Sequence, residues 1–315
     1  MKIGDLTPDQ LHRRFGGAGL RIRIGPFVFH LRTPIRDFVA DFSFLYADFP
    51  ICDESEVSDF GVRVAPAARW RPWREAQAEF WADGASLFKT FPRRLAMPLT
   101  EWGLNGCICN YAHQFLMFHS AVVEKAGRAA ILAGPPGSGK STLCAALLAR
   151  GWRLLSDEFA LVDPARGWLL PIPRPVALKE ASIGLVERLL PHLPIGRVFA
   201  PTHKGTLAHL RPPTEAVECQ AEPALPGWVV FPTYAGGADT KLVPLRKAAG
   251  FLRLEENCFN YTTLGRTAFD SLSQIIETAE CYELPFAQAV AAAELVDGLA
   301  DAELEPAAGL PLNAA

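Results

Sequence analysis

Apolar and polar residues alternate along Leu20-Arg21-Ile22-Arg23-Ile24 and, beyond a Gly25-Pro26 turn, along Val28-Phe29-His30-Leu31; Phe60-Gly61-Val62-Arg63-Val64 repeats the pattern. A period of two is that of a half-buried β-strand. Residues 1 to about 100 therefore read as a small β-rich or α+β module, suited to recognising a substrate or partner. The segment Pro98 to Gly103 leads into a helix predicted over Leu104 to Gln114, which places a domain boundary near 95 to 105.

The pattern then changes. Arg128-Ala129-Ala130-Ile131-Leu132-Ala133 is a continuous apolar run, the mark of a strand buried on both faces, and Ser141 to Arg150 reads as a helix closed by Gly151. Between them stands Gly134-Pro135-Pro136-Gly137-Ser138-Gly139-Lys140-Ser141-Thr142, which fills every position of the phosphate loop G-x-x-x-x-G-K-[ST]. Backbone N–H groups must converge on phosphate oxygens in such a loop, and glycines let the chain curl that tightly. Gly134, Gly137, Ser138, Gly139, Lys140, Ser141 and Thr142 are thus expected to bind a nucleotide triphosphate. Lys140 would reach the β- and γ-phosphates, and Ser141 would ligate magnesium.

Downstream, Trp152 to Ser156 predicts a strand, Asp157-Glu158 its end, and Phe159 to Asp163 another strand. Further strands are expected at 205–210, 228–234 and 241–245, and helices at about 264–280 and 286–298. The region carrying the phosphate loop spans 101–300, and the Ala- and Pro-rich residues 301–315 read as a frayed, flexible tail.

Composition narrows the class. The chain has 315 residues, half of them hydrophobic, a net charge of −3 and a pI near 6.2. No apolar run approaches the ~18 residues of a membrane span, and the N-terminus lacks a signal-peptide apolar core, so a cytoplasmic protein without a membrane partner is expected. A slightly acidic balance argues against nucleic acid; the cluster Arg69 to Arg74, interleaved with Trp70 and Trp73, reads as packed surface. Seven scattered cysteines form no paired C-x-x-C pattern and read as interior thiols.

Phe118-His119-Ser120-Ala121-Val122 on a hairpin strand, then the phosphate loop, a helix and Gly-Trp-Arg-Leu-Leu-Ser-Asp-Glu together look like the kinase domain of HPr kinase/phosphorylase. The chain more closely resembles the HPr-kinase-related (HprK-related A) bacterial proteins. The resemblance covers roughly residues 110 to 290. It implies an α/β fold of the phosphoenolpyruvate carboxykinase-like P-loop kind and phosphorylation of a serine hydroxyl on a protein or peptide. It also implies ATP and Mg2+ as cofactors, and it leaves room for a homo-oligomer. Asp157 falls on the family's general base, Glu158 on a second acid where the family has Asp, with a metal-binding role, and His119 on a histidine near the base. The N-terminal module does not look like that of HPr kinase, and the later signature associated with phosphorolysis is not found.

The chemistry stands without the family. Phosphoryl transfer needs positioning and charge neutralisation more than covalent help, so a phosphate cradle, Mg2+ and a carboxylate near the acceptor hydroxyl suffice. Arg174, in the proline-stiffened Pro171 to Lys179, is a candidate clamp on the transferring phosphate, with Lys179 or Lys204 as auxiliaries. A small-molecule kinase and a nucleotide-binding regulatory or scaffold protein with slow hydrolysis are the alternatives.

Overall fold

Thr7-Pro8-Asp9-Gln10 opens the first helix, α1 (Pro8–Gly16), as a reciprocal cap: Gln10 N–H donates to Thr7 Oγ1 at 3.3 Å and Thr7 N–H to Gln10 Oε1 at 2.8 Å. Pro8 sits where a helix has no use for its missing N–H. This cap begins a computed structural model that describes residues 1–67, 75–203 and 205–304. The Arg69–Arg74 cluster and Lys204 lie outside the described residues.

β1 (Leu20–Ile24) and β2 (Phe27–Arg32) form the predicted hairpin, with Gly25 at φ +57° in its turn. α2 (Arg36–Leu45) then crosses to β3 (Phe60–Pro66), parallel to β2, and β4 (Gln77–Ala82) returns antiparallel, followed by the short β5 (Ala85–Ser86) and β6 (Phe91–Pro92). The alternation sends Ile22, Phe29, Val62 and Phe80 inward against Phe15 of α1 and Phe38 and Phe42 of α2. The N-terminal part is therefore α+β.

α3 (Ala96–Tyr111) begins eight residues before the predicted Leu104. Pro98 does not precede the helix but occupies its first turn, where N–H groups have no intrahelical acceptor, so proline is tolerated. The helix is buried around most of its circumference, and it lies so close to the sheet that a Cβ on Gly103 would stand 2.1 Å from the Phe80 ring. The boundary expected near 95 to 105 falls inside this unbroken helix. Its core also takes in Met117, Phe159, Leu161, Ile172, Phe199 and Val217 from beyond it.

The rest of the chain runs β7 (Leu116–Lys125), β8 (Arg128–Ala133), α4 (Lys140–Leu148), β9 (Arg153–Ser156), β10 (Phe159–Asp163), β11 (Trp168–Leu170), β12 (Val176–Lys179), α5 (Ala181–Leu189), β13 (Phe199–Thr202), β14 (Gly205–Leu210) and α6 (Thr214–Glu218). It continues through β15 (Leu225–Tyr234), β16 (Val243–Pro244), α7 (Lys247–Glu255), α8 (Tyr261–Leu264), α9 (Arg266–Thr278), β17 (Glu280–Phe286) and α10 (Ala289–Leu304). A mixed sheet has the order β11-β10-β7-β8-β15-β17-β16, with β9 also on β7 and with β8, β15 and β17 parallel; β12-β14-β13 form a separate sheet. α4 and α10 cover one face through Leu143, Ala292 and Val296. α9 and α7 cover the other through Leu254, Leu272 and Ile275. Burial on both faces is why β8 reads as an apolar run rather than an alternation.

Three expectations need correction. The strand predicted at 241–245 shrinks to Val243–Pro244, because only an edge pairing with β17 holds it. β17 itself, beside β15 in the parallel core of the sheet, was not predicted. The first four residues of the tail expected over 301–315 are helical, through Leu304, tied down by Lys125 Nζ, which reaches Asp301 Oδ1 at 3.1 Å and Asp297 Oδ1 at 2.6 Å; residues 305–315 lie outside the described residues. Among the described residues no helix is long and apolar enough to cross a membrane, and all seven cysteines are free thiols.

Candidate functional site

The phosphate-loop sequence bridges β8 and α4, at the end of β8 that points toward the α4 N-terminus. Gly134, Gly137 and Gly139 take φ values of +155°, +87° and +94°, the left-handed region that side chains resist. At Gly139 there is no room either, since a Cβ would meet the Phe286 ring at 2.5 Å. The loop is braced from β15 by Tyr234 N–H, which donates to Ser138 O at 3.0 Å. Ser138 is buried and its Oγ has no hydrogen-bond partner. Lys140 is buried too; its ammonium folds back to donate to Gly134 O and, at 3.0 Å, to Pro135 O. Burial pulls its pKa down, and the charges of Asp157 and Glu158 oppose that pull. Ser141 and Thr142 follow on the first turn of α4, half-buried.

Asp157 and Glu158, seventeen residues beyond Lys140, interrupt what is otherwise a single strand. β9 and β10 both pair antiparallel with β7, Ser156 opposite Val122 and Phe159 opposite His119, so the ladder simply opens at the two acids. Ser156 Oγ takes up the freed donors, accepting from Glu158 N–H at 3.3 Å and Phe159 N–H at 3.1 Å. The sequence reading of a strand, an acidic pair and another strand is thus right. Asp157 lies buried beside α4, near enough to Ser141 for that side chain to favour its charged form; its Oδ2 accepts from Ala177 N–H of β12 at 3.3 Å, and its Oδ1 has no partner. Burial, then the neighbouring Glu158 charge, push its carboxyl up to about 8 against the opposing effects of Ser141, Ala177 N–H and Lys140. The carboxyl that Ser141 influences is that of Asp157, whereas Glu158 is the acid expected to share the metal with Ser141.

His119 is half-buried on β7, its ring edge-on to Phe259 at 5.8 Å and its backbone N–H donating to Asn257 O. The ladder sets it opposite Phe159, two residues along from Asp157. Arg174 is not a surface cation. It is buried, ion-paired with Glu101 of α3 at 3.6 Å and hydrogen-bonded to Asn105 Oδ1, while Glu101 accepts from Tyr46 Oη at 2.7 Å. Lys179, at the exposed end of β12, is close enough for its charge to lower the pKa of Lys140. Local pattern gave no hint of Glu101, because a buried carboxylate is read only from the distant arginine that faces it. The buried His209 on β14, pushed down to about 4 by burial and by Arg174, was equally silent.

No protein-family model matches the chain, and no curated protein does. Among solved structures it is similar to the Hpr(Ser) kinase/phosphatase from Coxiella burnetii, at 12% identity over 60% of this chain and 99% of that one, with a TM-score of 0.27.

Proposed function

We propose that this chain is an ATP-dependent, magnesium-requiring kinase of the HPr-kinase-related kind, with a phosphoenolpyruvate carboxykinase-like core, that transfers the γ-phosphoryl group to a serine hydroxyl of a protein or peptide in the cytoplasm. One observation carries the reading: two buried polar atoms without partners, Ser138 Oγ in the phosphate loop and Asp157 Oδ1 beside α4, accompany a buried ammonium and a serine near the acid. Buried polar groups in folded proteins find partners, so such a set suits a polar ligand.

The donor set fits a nucleoside triphosphate with a divalent cation. The loop N–H groups and the α4 N-terminus would hold phosphate oxygens. Ser141 with Asp157 and Glu158 would hold the cation, since magnesium takes one or two carboxylates alongside phosphates. When bound, that cation neutralises charge on the transferring group. Lys140 exchanges the carbonyls of Gly134 and Pro135 for the β- and γ-phosphates. Asp157 presents Oδ1 to the acceptor hydroxyl and takes its proton; its carboxyl is raised to about 8 in the empty site, and a bound cation would pull it down toward the charged form that accepts a proton. His119 flanks the acceptor side. Arg174 acts as a positioning residue, anchoring on α3 the segment whose Ala177 N–H holds Asp157. Residues 1 to about 100 select the acceptor.

Incubation with γ-labelled ATP and Mg2+ tests the reading. Label in phosphoserine of a peptide, absent with Lys140→Ala, is the expected result. Label in a metabolite, or release of inorganic phosphate alone, would turn the assignment to the alternatives.

A further inference from the structure

The N-terminal sheet packs one face on α1, α2 and α3. Its other face holds a cleft of about 420 Å³ lined by His30 and Arg32 of β2, Gly61 and Arg63 of β3, Trp81 of β4 and Asp83. Parallel pairing sets Arg32 beside Arg63, and antiparallel pairing sets Trp81 opposite Arg63. Two arginines side by side on adjacent strands repel each other, a cost that a binding role would justify.

The acidic groups nearby are engaged within the sheet. Asp83 Oδ1 accepts from Gly61 N–H at 2.8 Å, and Glu79 Oε2 from Trp81 Nε1 at 3.2 Å. Arg32 gives its Nε to Ala18 O, and no ion pair joins Arg32 or Arg63 to a carboxylate among the described residues. The cleft therefore offers two forked cations and an aromatic face, with Gly61 removing a side chain from the floor opposite His30.

We infer that this cleft docks an extended peptide segment rich in Asp and Glu, its carboxylates on Arg32 and Arg63 and an apolar side chain against Trp81. Guanidinium forks match carboxylates two bonds at a time. A peptide places its charges singly, whereas the continuous charge of RNA would run against Asp83 and Glu79. The inference does not depend on phosphoryl transfer.

Fluorescence anisotropy of the full-length protein with a short labelled peptide, alternating Glu and Ser around one Trp, tests it. The acidic peptide should bind and lose affinity as salt rises. Replacing its Glu by Gln, or the protein's arginines by Arg32→Ser with Arg63→Ser, should weaken binding roughly tenfold or more. Both arginines are exposed, and an unchanged unfolding midpoint in the double variant confirms an intact fold. No binding, equal binding by the Gln peptide, equal binding by the double variant, or tighter binding of an RNA oligonucleotide through the same arginines would each overturn the inference.

Discussion

At the scale of single residues, Lys140 and Asp157 are titratable groups that the fold has buried, and each makes a measurable claim. Lys140→Ala removes the cation proposed to reach the β- and γ-phosphates and should cut turnover on the order of a thousandfold, read as steady-state label transfer by protein whose circular dichroism is unchanged. Asp157 claims something different, because its raised carboxyl ties stability to pH. Folded, it keeps a proton up to about 8; the unfolded chain gives that proton up near 3.8, so Asp157 makes the empty protein less stable as pH rises between those values. His209, near 4 when folded and 6.5 when free, acts the other way: it adds stability as pH rises to 6.5. The two offset each other below 6.5. Above it only Asp157 of the two still titrates, and its share of the stability should fall on the order of 2 kcal/mol between pH 6.5 and 8. In Asp157→Asn, which can still accept from Ala177 N–H, that fall should vanish. Urea unfolding at the two pH values checks it, and an equal fall in both proteins would remove Asp157 as the cause.

At the scale of elements, legibility followed locality. The phosphate loop and its flanking strand and helix were readable because loop conformation, burial and capping are set by residues adjacent in sequence. α1 had a signal that went unused, the Thr7 to Gln10 cap with Pro8 inside it. β17 had little, since Glu280, Glu283 and Pro285 dilute its pattern and only pairing with β15 makes it a strand. α3 was read short because Pro98 looks like a stop unless its place in the first turn is known. Two predictions belong here. Gly103→Ala would drive a methyl group into the Phe80 ring and should cost roughly 1–3 kcal/mol, seen as a lower denaturant midpoint at unchanged slope. Arg174→Ala leaves Glu101 and Tyr46 buried without their cation and should cost about 3–5 kcal/mol, with nucleotide affinity weakening as the Ala177 segment loosens. Full stability in Arg174→Ala would mean that the pair with Glu101 does not hold the segment.

At the scale of the molecule, the mixed α/β class was legible from the switch between alternating and continuous apolar runs, but the way the two parts join was not. Contacts between distant segments leave no local trace, and here they centre on α3. A chain beginning at Pro98 would keep the phosphate loop yet strip α3 of Phe80, Phe42 and Tyr46. It should aggregate or lack a cooperative thermal transition, and calorimetry of the purified fragment would decide; a sharp transition with intact nucleotide binding would show the part that carries the phosphate loop to be independent. The same shared helix shapes how the protein is made. When Tyr111 leaves the ribosome the N-terminal sheet can close over one side of α3, but Phe159, Ile172, Phe199 and Val217, which complete that core, are still to come. At about 5–20 residues per second, the remaining stretch takes on the order of 5 to 20 s to synthesise. For that interval the nascent chain carries an uncovered apolar helix, a natural point for a chaperone to hold it.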